Sequence, residues 1–277
     1  MIDAEAGHGK TWLALSAAYA VAAGQNLLGW ECARKARTLY VDGELPGELL
    51  QQRIDQLGPA LPATDLLWLT QAQFGARGEE MIDLGTPEAR DCLDRWIEQH
   101  EIELIVLDSV STLVRSGVDN DVESWRAIQT WSLKHRARGR SVIYLHHHGR
   151  SGKPRGTSSR EIVLDARIKL AKDLNLTTDN ETALKLEFAK AREFHGADAA
   201  PVVIYLSTPN NRVQWRHESV KASTTEQVKK LLQEGWSQVD IAAEIGVTKG
   251  RVSQIVKEHG LKPASGTAEA ETEEDAV

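Results

Sequence analysis

Cysteine is almost absent from this chain: its 277 residues include two, Cys32 and Cys92, far apart and in no metal-like spacing. That excludes a disulfide framework and makes a reducing cytoplasm the expected setting. No apolar run approaches the ~20 residues that a membrane span needs, and no secretory leader precedes the first motif, so neither membrane insertion nor export is expected. Excess positive charge is also missing, the formal net charge being −7. Glu269, Glu271, Glu273, Glu274 and Asp275 supply five of those negatives within the last nine residues, and the body of the chain is nearly neutral. The charge therefore does not exclude a nucleic-acid partner. At 41% hydrophobic and 26% charged, the composition is that of a globular protein with room for one large α/β domain and a small module.

What is present begins at once. Ala4-Glu5-Ala6-Gly7-His8-Gly9-Lys10-Thr11 reads as a phosphate-binding loop running into a helix that starts at Trp12 and stops at Gly24. Glycines let successive backbone N–H groups turn inward around an anion, Lys10 reaches the β- and γ-phosphates, Thr11 offers a hydroxyl to Mg²⁺, and the helix N-terminus adds partial positive charge. Gly7, His8, Gly9, Lys10, Thr11 and Trp12 are the expected ATP-binding residues. The first position of the pattern holds Ala4 instead of glycine, and alanine resists a positive φ. A dinucleotide fingerprint fails because Trp12 stands where its third glycine belongs. Only Met1 to Asp3 precede the loop, so the strand that should hold it is expected to be truncated.

Strand and helix patterns then alternate. Thr38–Asp42, Leu66–Thr70, Ile102–Asp108 and Ser141–His147 read as buried strands, with helical stretches around Leu50–Leu57, from Thr86-Pro87 to about His100, and over Asp121–Arg138. Such alternation argues for a mainly parallel sheet with helices on both faces. From about Val163 the runs 166–171, 184–189, 202–206 and 213–216 lack long helices between them and suggest antiparallel additions at the sheet edge. The expected organisation is an ATPase domain over residues 1–216, a polar linker at 217–223, a helical module at 224–262 and a disordered acidic tail at 263–277.

Several residues can carry chemistry. Asp108, at the end of an apolar strand and followed by Ser109, fits the carboxylate that faces a Mg²⁺ shell. Asp42 and Glu44 end the strand from Thr38, and side chains two apart on an extended chain share a face. Glu44, the longer arm, is the preferred group to orient and deprotonate an attacking water. His146, His147 and His148 invite a metal reading, but alternation sends His147 to the side opposite its neighbours, which argues against a facial ligand set. A polar switch is the better reading, with one imidazole sensing the γ-phosphate. The following loop, 149–160, holds Arg150, Lys153, Arg155 and Arg160 among three glycines and suits a nucleic-acid backbone. Lys190 and Arg192 alternate with apolar residues and share a face, as a basic pair reaching a neighbouring subunit's γ-phosphate would.

The segments AEAGHGKTWLAL, LYVDGELPGELLQQRIDQLG, LIVLDSVSTL, DNDVESWRAIQTW, YLHHHGRSGKPRGTSSREIVLD and LEFAKAREFHG together resemble RecA-fold ATPases related to the RepA replicative helicase of mobile plasmids. The resemblance spans about residues 3 to 196. It implies a RecA-like P-loop NTPase core forming a hexameric ring, with ATP between subunits and single-stranded DNA in the central channel. It implies Lys10 and Thr11 as the first nucleotide motif, Glu44 as the catalytic glutamate, Asp108 as the second motif, His147 as the sensor with His146 the rival register, and Lys190 and Arg192 as the trans-acting basic pair.

Residues 224–262 carry a helix-turn-helix pattern of their own. Ser237 and Asp240 form a capping box, Ala242 is the small residue where helices touch, Gly246 makes the turn, and Ile241, Ile245, Val247, Val252 and Ile255 fill core positions. Thr248, Lys249, Arg251, Ser253, Gln254 and Lys257 are left for the major groove of a duplex. The net charge over residues 224–262 is only +1, so a single copy should bind weakly, and several copies on a ring would compensate. Two functions are expected from these parts: an ATP-driven DNA motor, as a replicative helicase or helicase loader of a plasmid, phage or integrated element, or an ATP-regulated site-specific DNA-binding regulator.

Overall fold

The computed structural model describes residues 1–62, 64–115, 122–147 and 163–261. These divide into two compact units, one of Met1–Asp173 with Thr177–His217 and one of Leu174–Leu176 with the chain from Glu218 onward. The first unit is built on strands β1 (Ile2–Ala4), β2 (Thr38–Asp42), β3 (Leu66–Thr70), β4 (Leu104–Asp108), β5 (Ser141–His147), β6 (Ala166–Lys172), β7 (Thr182–Ala191), β8 (Val202–Ser207) and β9 (Gln214–Ser219). Their order across the sheet is β3-β2-β4-β5-β1-β6-β7-β8-β9. All neighbours from β3 to β6 run parallel, whereas β7 and β8 are antiparallel. The expected antiparallel additions therefore begin one strand later than the sequence suggested, because β6 takes the free edge of β1 in parallel register, Ile2 opposite Ile168.

β1 is three residues long, yet it lies between β5 and β6 with Ala4 opposite His147. Helices α1 (Lys10–Ala23) and α2 (Gly47–Leu57) cover one face of the sheet, while α4 (Pro87–Gln99), α5 (Val110–Leu113) and α6 (Val122–Ala137) cover the other, with the short α3 (Gln71–Ala76) following β3. The continuous apolar runs of the strands follow from this double coverage. Leu104 and Val106 face the α1 side, and Ile105 and Leu107 face the opposite core, as period-two alternation requires.

One polar cluster ties the second layer together. The buried carboxylate of Asp94 on α4 accepts from Trp131 Nε1 at 2.6 Å and Lys134 Nζ at 2.6 Å, and pairs with His135 Nε2 at 2.9 Å, all on α6. Burial pushes the Asp94 carboxyl up, but these three hydrogen bonds outweigh it and hold the group below its ordinary value. His135 is fully buried, and burial lowers its pKa.

Residues 217–223, read from sequence as a polar linker, are instead the end of β9 and the first turn of α7 (Val220–Gln233). β9 is the last strand of the sheet and none of its residues is buried, so His217–Ser219 stay polar and hide how far the strand expected at 213–216 continues. Helices α7, α8 (Gln238–Glu244) and α9 (Lys249–His259) form the all-α second unit around Val228, Leu232, Ile241, Ala242, Val252 and Ile255. Gly246, at φ +69, makes the α8–α9 turn. Ser237 Oγ accepts the Asp240 N–H at 3.3 Å and Thr248 Oγ1 accepts the Arg251 N–H at 3.2 Å, so both helices carry side-chain N-caps. The expected tail, 263–277, lies outside the described residues.

Asp94→Ala leaves three buried or half-buried donors facing one void. It should cost about 3 kcal/mol in urea-induced unfolding, and a loss under about 1 kcal/mol would show that the cluster does not join α4 to α6.

Candidate nucleotide site

The parallel strands all end at the same edge of the sheet, and β1 delivers the loop Glu5–Gly9 there, directly beneath the N-terminus of α1. Gly7 and Gly9 take φ of +79 and +75. A Cβ on Gly9 would come within 2.7 Å of Leu184 Cδ1, so this glycine is required by both conformation and space. Ala4, by contrast, is the last residue of β1 and has no positive φ, which explains why alanine serves where the motif has glycine.

Lys10 is almost fully buried, and its ammonium folds back to donate to the carbonyls of Ala4 and Glu5 at 2.7 Å each. Burial lowers its pKa, while Asp108 and Glu44 pull it up. The Thr11 side chain lies close enough to Asp108 to help hold its carboxyl down, bringing together the two expected Mg²⁺ ligands from α1 and β4. Tyr40 Oη donates to Asp108 Oδ2 at 2.7 Å, a partner the motif reading missed. Alternation along β2 puts Tyr40 on the same face as Asp42, but only the β2–β4 register brings that face to Asp108.

Asp42 stands in register with Asp108, fully buried. Its Oδ2 accepts the Leu45 N–H at 3.1 Å, and its Oδ1 is buried without a hydrogen-bond partner among the described residues. Burial, and then the Asp108 charge, push this carboxyl up to about 7. Burial also raises Asp108, with the Tyr40 and Thr11 hydrogen bonds opposing it. Glu44 lies beyond the strand, 40% exposed at its side chain, and its carboxylate pairs with His147 Nε2 at 3.0 Å. His147, not His146, therefore meets Glu44.

The Thr11 hydroxyl and the Asp108 carboxylate are the hard oxygen donors that suit Mg²⁺, an ion that keeps several waters and phosphate oxygens for its remaining positions. Thr11 and Asp108 would hold the ion.

The other expected residues are placed differently. His8 Nδ1 accepts the Lys172 N–H at 3.4 Å, and the Trp12 ring lies under the Arg53 guanidinium at 5.0 Å. Lys190 and Arg192 are not at this site within one chain. β7 is antiparallel to β6, so Lys190 sits opposite Arg167 near the start of β6, at the sheet end away from the P-loop. The Arg192 guanidinium is 3.9 Å from the Asp165 carboxylate. Arg150, Lys153 and Arg155 lie outside the described residues. In the second unit, Arg251 Nη1 donates to Gln254 Oε1 at 3.0 Å and Gln254 Nε2 to Glu258 Oε1 at 2.7 Å along the exposed side of α9. Lys249 and Ser253 share that helix, and Lys257 is in its last turn.

Residues 1–153 match the protein family described as AAA domain, more than half of the chain, and residues 212–264 match the family described as TrfB plasmid transcriptional repressor. No curated protein matches. Among solved structures, a KaiC-like protein from the hyperthermophilic archaeon Pyrococcus horikoshii superposes with a TM-score of 0.54 at 13% identity, covering 77% of this chain and 87% of that one. The flagellar accessory protein FlaH from Methanocaldococcus jannaschii gives 0.52 at 13% identity, with the same coverages of 77% and 87%. Both likenesses are of fold: a RecA-like core. Among the described residues no helix is long and apolar enough to cross a membrane.

The raised Asp42 carboxyl has a stability consequence whose sign is fixed. A folded pKa near 7 against an unfolded 3.8 means that the folded state binds the proton more tightly. Its contribution is therefore full below the unfolded pKa and lost as pH rises to about 7. Asp42→Asn should raise the melting temperature of the nucleotide-free protein more at pH 8 than at pH 5, read by thermal melts across that range. An equal shift at both values would show that Asp42 is ionised throughout.

Proposed function

Because the chain belongs to the AAA-domain family, we propose that it is an ATP-hydrolysing DNA motor of the RepA-like helicase type, acting in the cytoplasm as a replicative helicase or helicase loader of a plasmid, phage or integrated element. The observation that carries this reading is the 3.0 Å Glu44–His147 contact beside Lys10, Thr11 and Asp108. Lys10 and the loop N–H groups bind the ATP phosphates, and Thr11 and Asp108 would hold a Mg²⁺ ion, which would supply charge neutralisation at the phosphates. Glu44 orients the attacking water and takes its proton. His147 is placed to exchange Glu44 for the γ-phosphate, which makes the pair a sensor of nucleotide state.

Lys190 and Arg192 sit at the far end of the sheet in their own chain, so in this reading they would act on ATP held by a neighbouring subunit of a hexameric ring. Arg150, Lys153 and Arg155 would then line a channel for single-stranded DNA. The second unit would read duplex DNA through Thr248, Lys249, Arg251, Ser253, Gln254 and Lys257; Thr248 already uses its oxygen as the cap of α9, which leaves its proton to donate.

The match of residues 212–264 to a plasmid repressor family favours a second reading, an ATP-regulated, site-specific DNA-binding regulator. The two differ in what ATP does. A motor requires that single-stranded DNA stimulate ATP turnover, that Lys10→Ala abolish it, and that neutralising Arg150, Lys153 and Arg155 together remove the stimulation. A regulator requires tight duplex binding lost in Arg251→Ala and Gln254→Ala, with no strand displacement. Turnover indifferent to single-stranded DNA, combined with site-specific duplex binding, would replace the first reading by the second.

A further inference from the structure

The carboxylate of Asp42 is a poor choice for stability. It is fully buried, it stands beside the like-charged Asp108, and one of its oxygens has no hydrogen-bond partner among the described residues. An apolar residue would avoid the desolvation cost, so an unsatisfied group in this position calls for an explanation.

The turn that follows supplies one. Glu44 is partly exposed and its carboxylate meets His147 at 3.0 Å, so where it stands depends on that partner and on the backbone of residues 43–45 that carries it. That backbone is held from three sides. Asp42 Oδ2 accepts the Leu45 N–H at 3.1 Å and so spans the turn from beneath. The Gly43 N–H donates to the Asp108 carbonyl at 2.8 Å, extending the β2–β4 ladder by one bond. Gly43 also packs against α5 with no room for a side chain, since a Cβ would lie 2.8 Å from both Leu113 Cδ2 and Thr112 Oγ1. The Gly43 contacts fix where the turn begins. The Asp42 contact is the one that fixes its far side, at Leu45.

We propose that Asp42 is a positioning residue for hydrolysis: its side chain acts as an acceptor that braces the 43–45 turn and so holds Glu44 at the attacking water, while making no contact with nucleotide or metal itself. The inference rests on the reading of Glu44 as the hydrolytic carboxylate. What the turn requires is an acceptor of this shape at this position, not a negative charge.

The test compares Asp42→Asn, which keeps the acceptor, with Asp42→Leu, which keeps the branched shape and removes it. Asp42→Ala serves as a second acceptor-less variant, and all are checked by thermal melts. ATP turnover is measured alongside the binding of a fluorescent ATP analogue with and without Mg²⁺. The expected result is that Asp42→Asn keeps kcat within about threefold. Asp42→Leu should lose about thirtyfold in kcat, a loss of the size that a displaced catalytic group produces, with KM and Mg²⁺-dependent analogue binding unchanged within about twofold. In a Glu44→Gln background, Asp42→Leu should slow the residual rate no further, because a brace acts only through what it holds. Equal losses in Asp42→Asn and Asp42→Leu, or weakened Mg²⁺-dependent binding in either, would assign Asp42 a charge or metal role and overturn the proposal alone. A further loss in the double variant would also overturn it. A wild type that binds the analogue but shows no turnover would remove the hydrolytic reading, and this one with it.

Discussion

Three carboxylates and one ammonium share the edge where the parallel strands end, and the organisation of the first unit follows from keeping them there. Lys10 is buried against carbonyls of its own loop, Asp42 and Asp108 stand side by side at the ends of β2 and β4, and Glu44 extends past them to His147. Negative charge exceeds positive charge within this cluster, and burial opposes ionisation of every group in it that is cut off from water. The result is a site held in electrostatic tension, in which Asp42 sits near 7 and Asp108 is raised. An Mg²⁺-bound polyphosphate would bring both a cation for the carboxylates and anionic oxygens for Lys10 and the loop N–H groups, so one ligand would relieve both strains.

The rigid surroundings of the cluster explain why it persists. β2 and β4 are buried on both faces and cannot shift by one residue without sending Tyr40, Asp42 and Asp108 to the opposite core. Gly9 against Leu184 and Gly43 against α5 close the remaining freedom, because each packs where a side chain would collide. On the other face, the Asp94 cluster joins α4 to α6 far from the nucleotide edge. The second unit has its own core and its own helix caps.

Much of this was legible in the residues. The P-loop, Asp108 and Glu44 stood out because their chemistry requires particular residue types at fixed spacing, and the parallel strands because double burial produces unbroken apolar runs. The three-helix unit was legible because Gly246, Ser237 and the apolar positions around them are local requirements. The start of β9 was legible as the run at 213–216, but its continuation through His217–Ser219 was not, since a strand end with no buried residue reads as polar linker. The parallel pairing of β6 was hidden as well, because direction depends on which edge of the sheet is free and not on composition. The doubt raised by Ala4 came from assuming a φ that only the backbone could settle.

The sequence by itself determined that phosphate, metal and water chemistry can be done, because loop glycines, a lysine, a threonine and strand-end carboxylates carry those functions wherever they are brought together. It also determined that a separate helical unit follows. Only the tertiary structure decided which residues share a site. It joined Tyr40 to Asp108 and His147 to Glu44, residues 68 and 103 apart in the chain, and gave Asp42 a buried place beside both carboxylates. It also sent Lys190 to the far end of the sheet, since an antiparallel strand carries its C-terminus away from the edge where parallel strands end. Partners of this kind are set by strand order and register, which are properties of the whole sheet and leave no mark on any one segment.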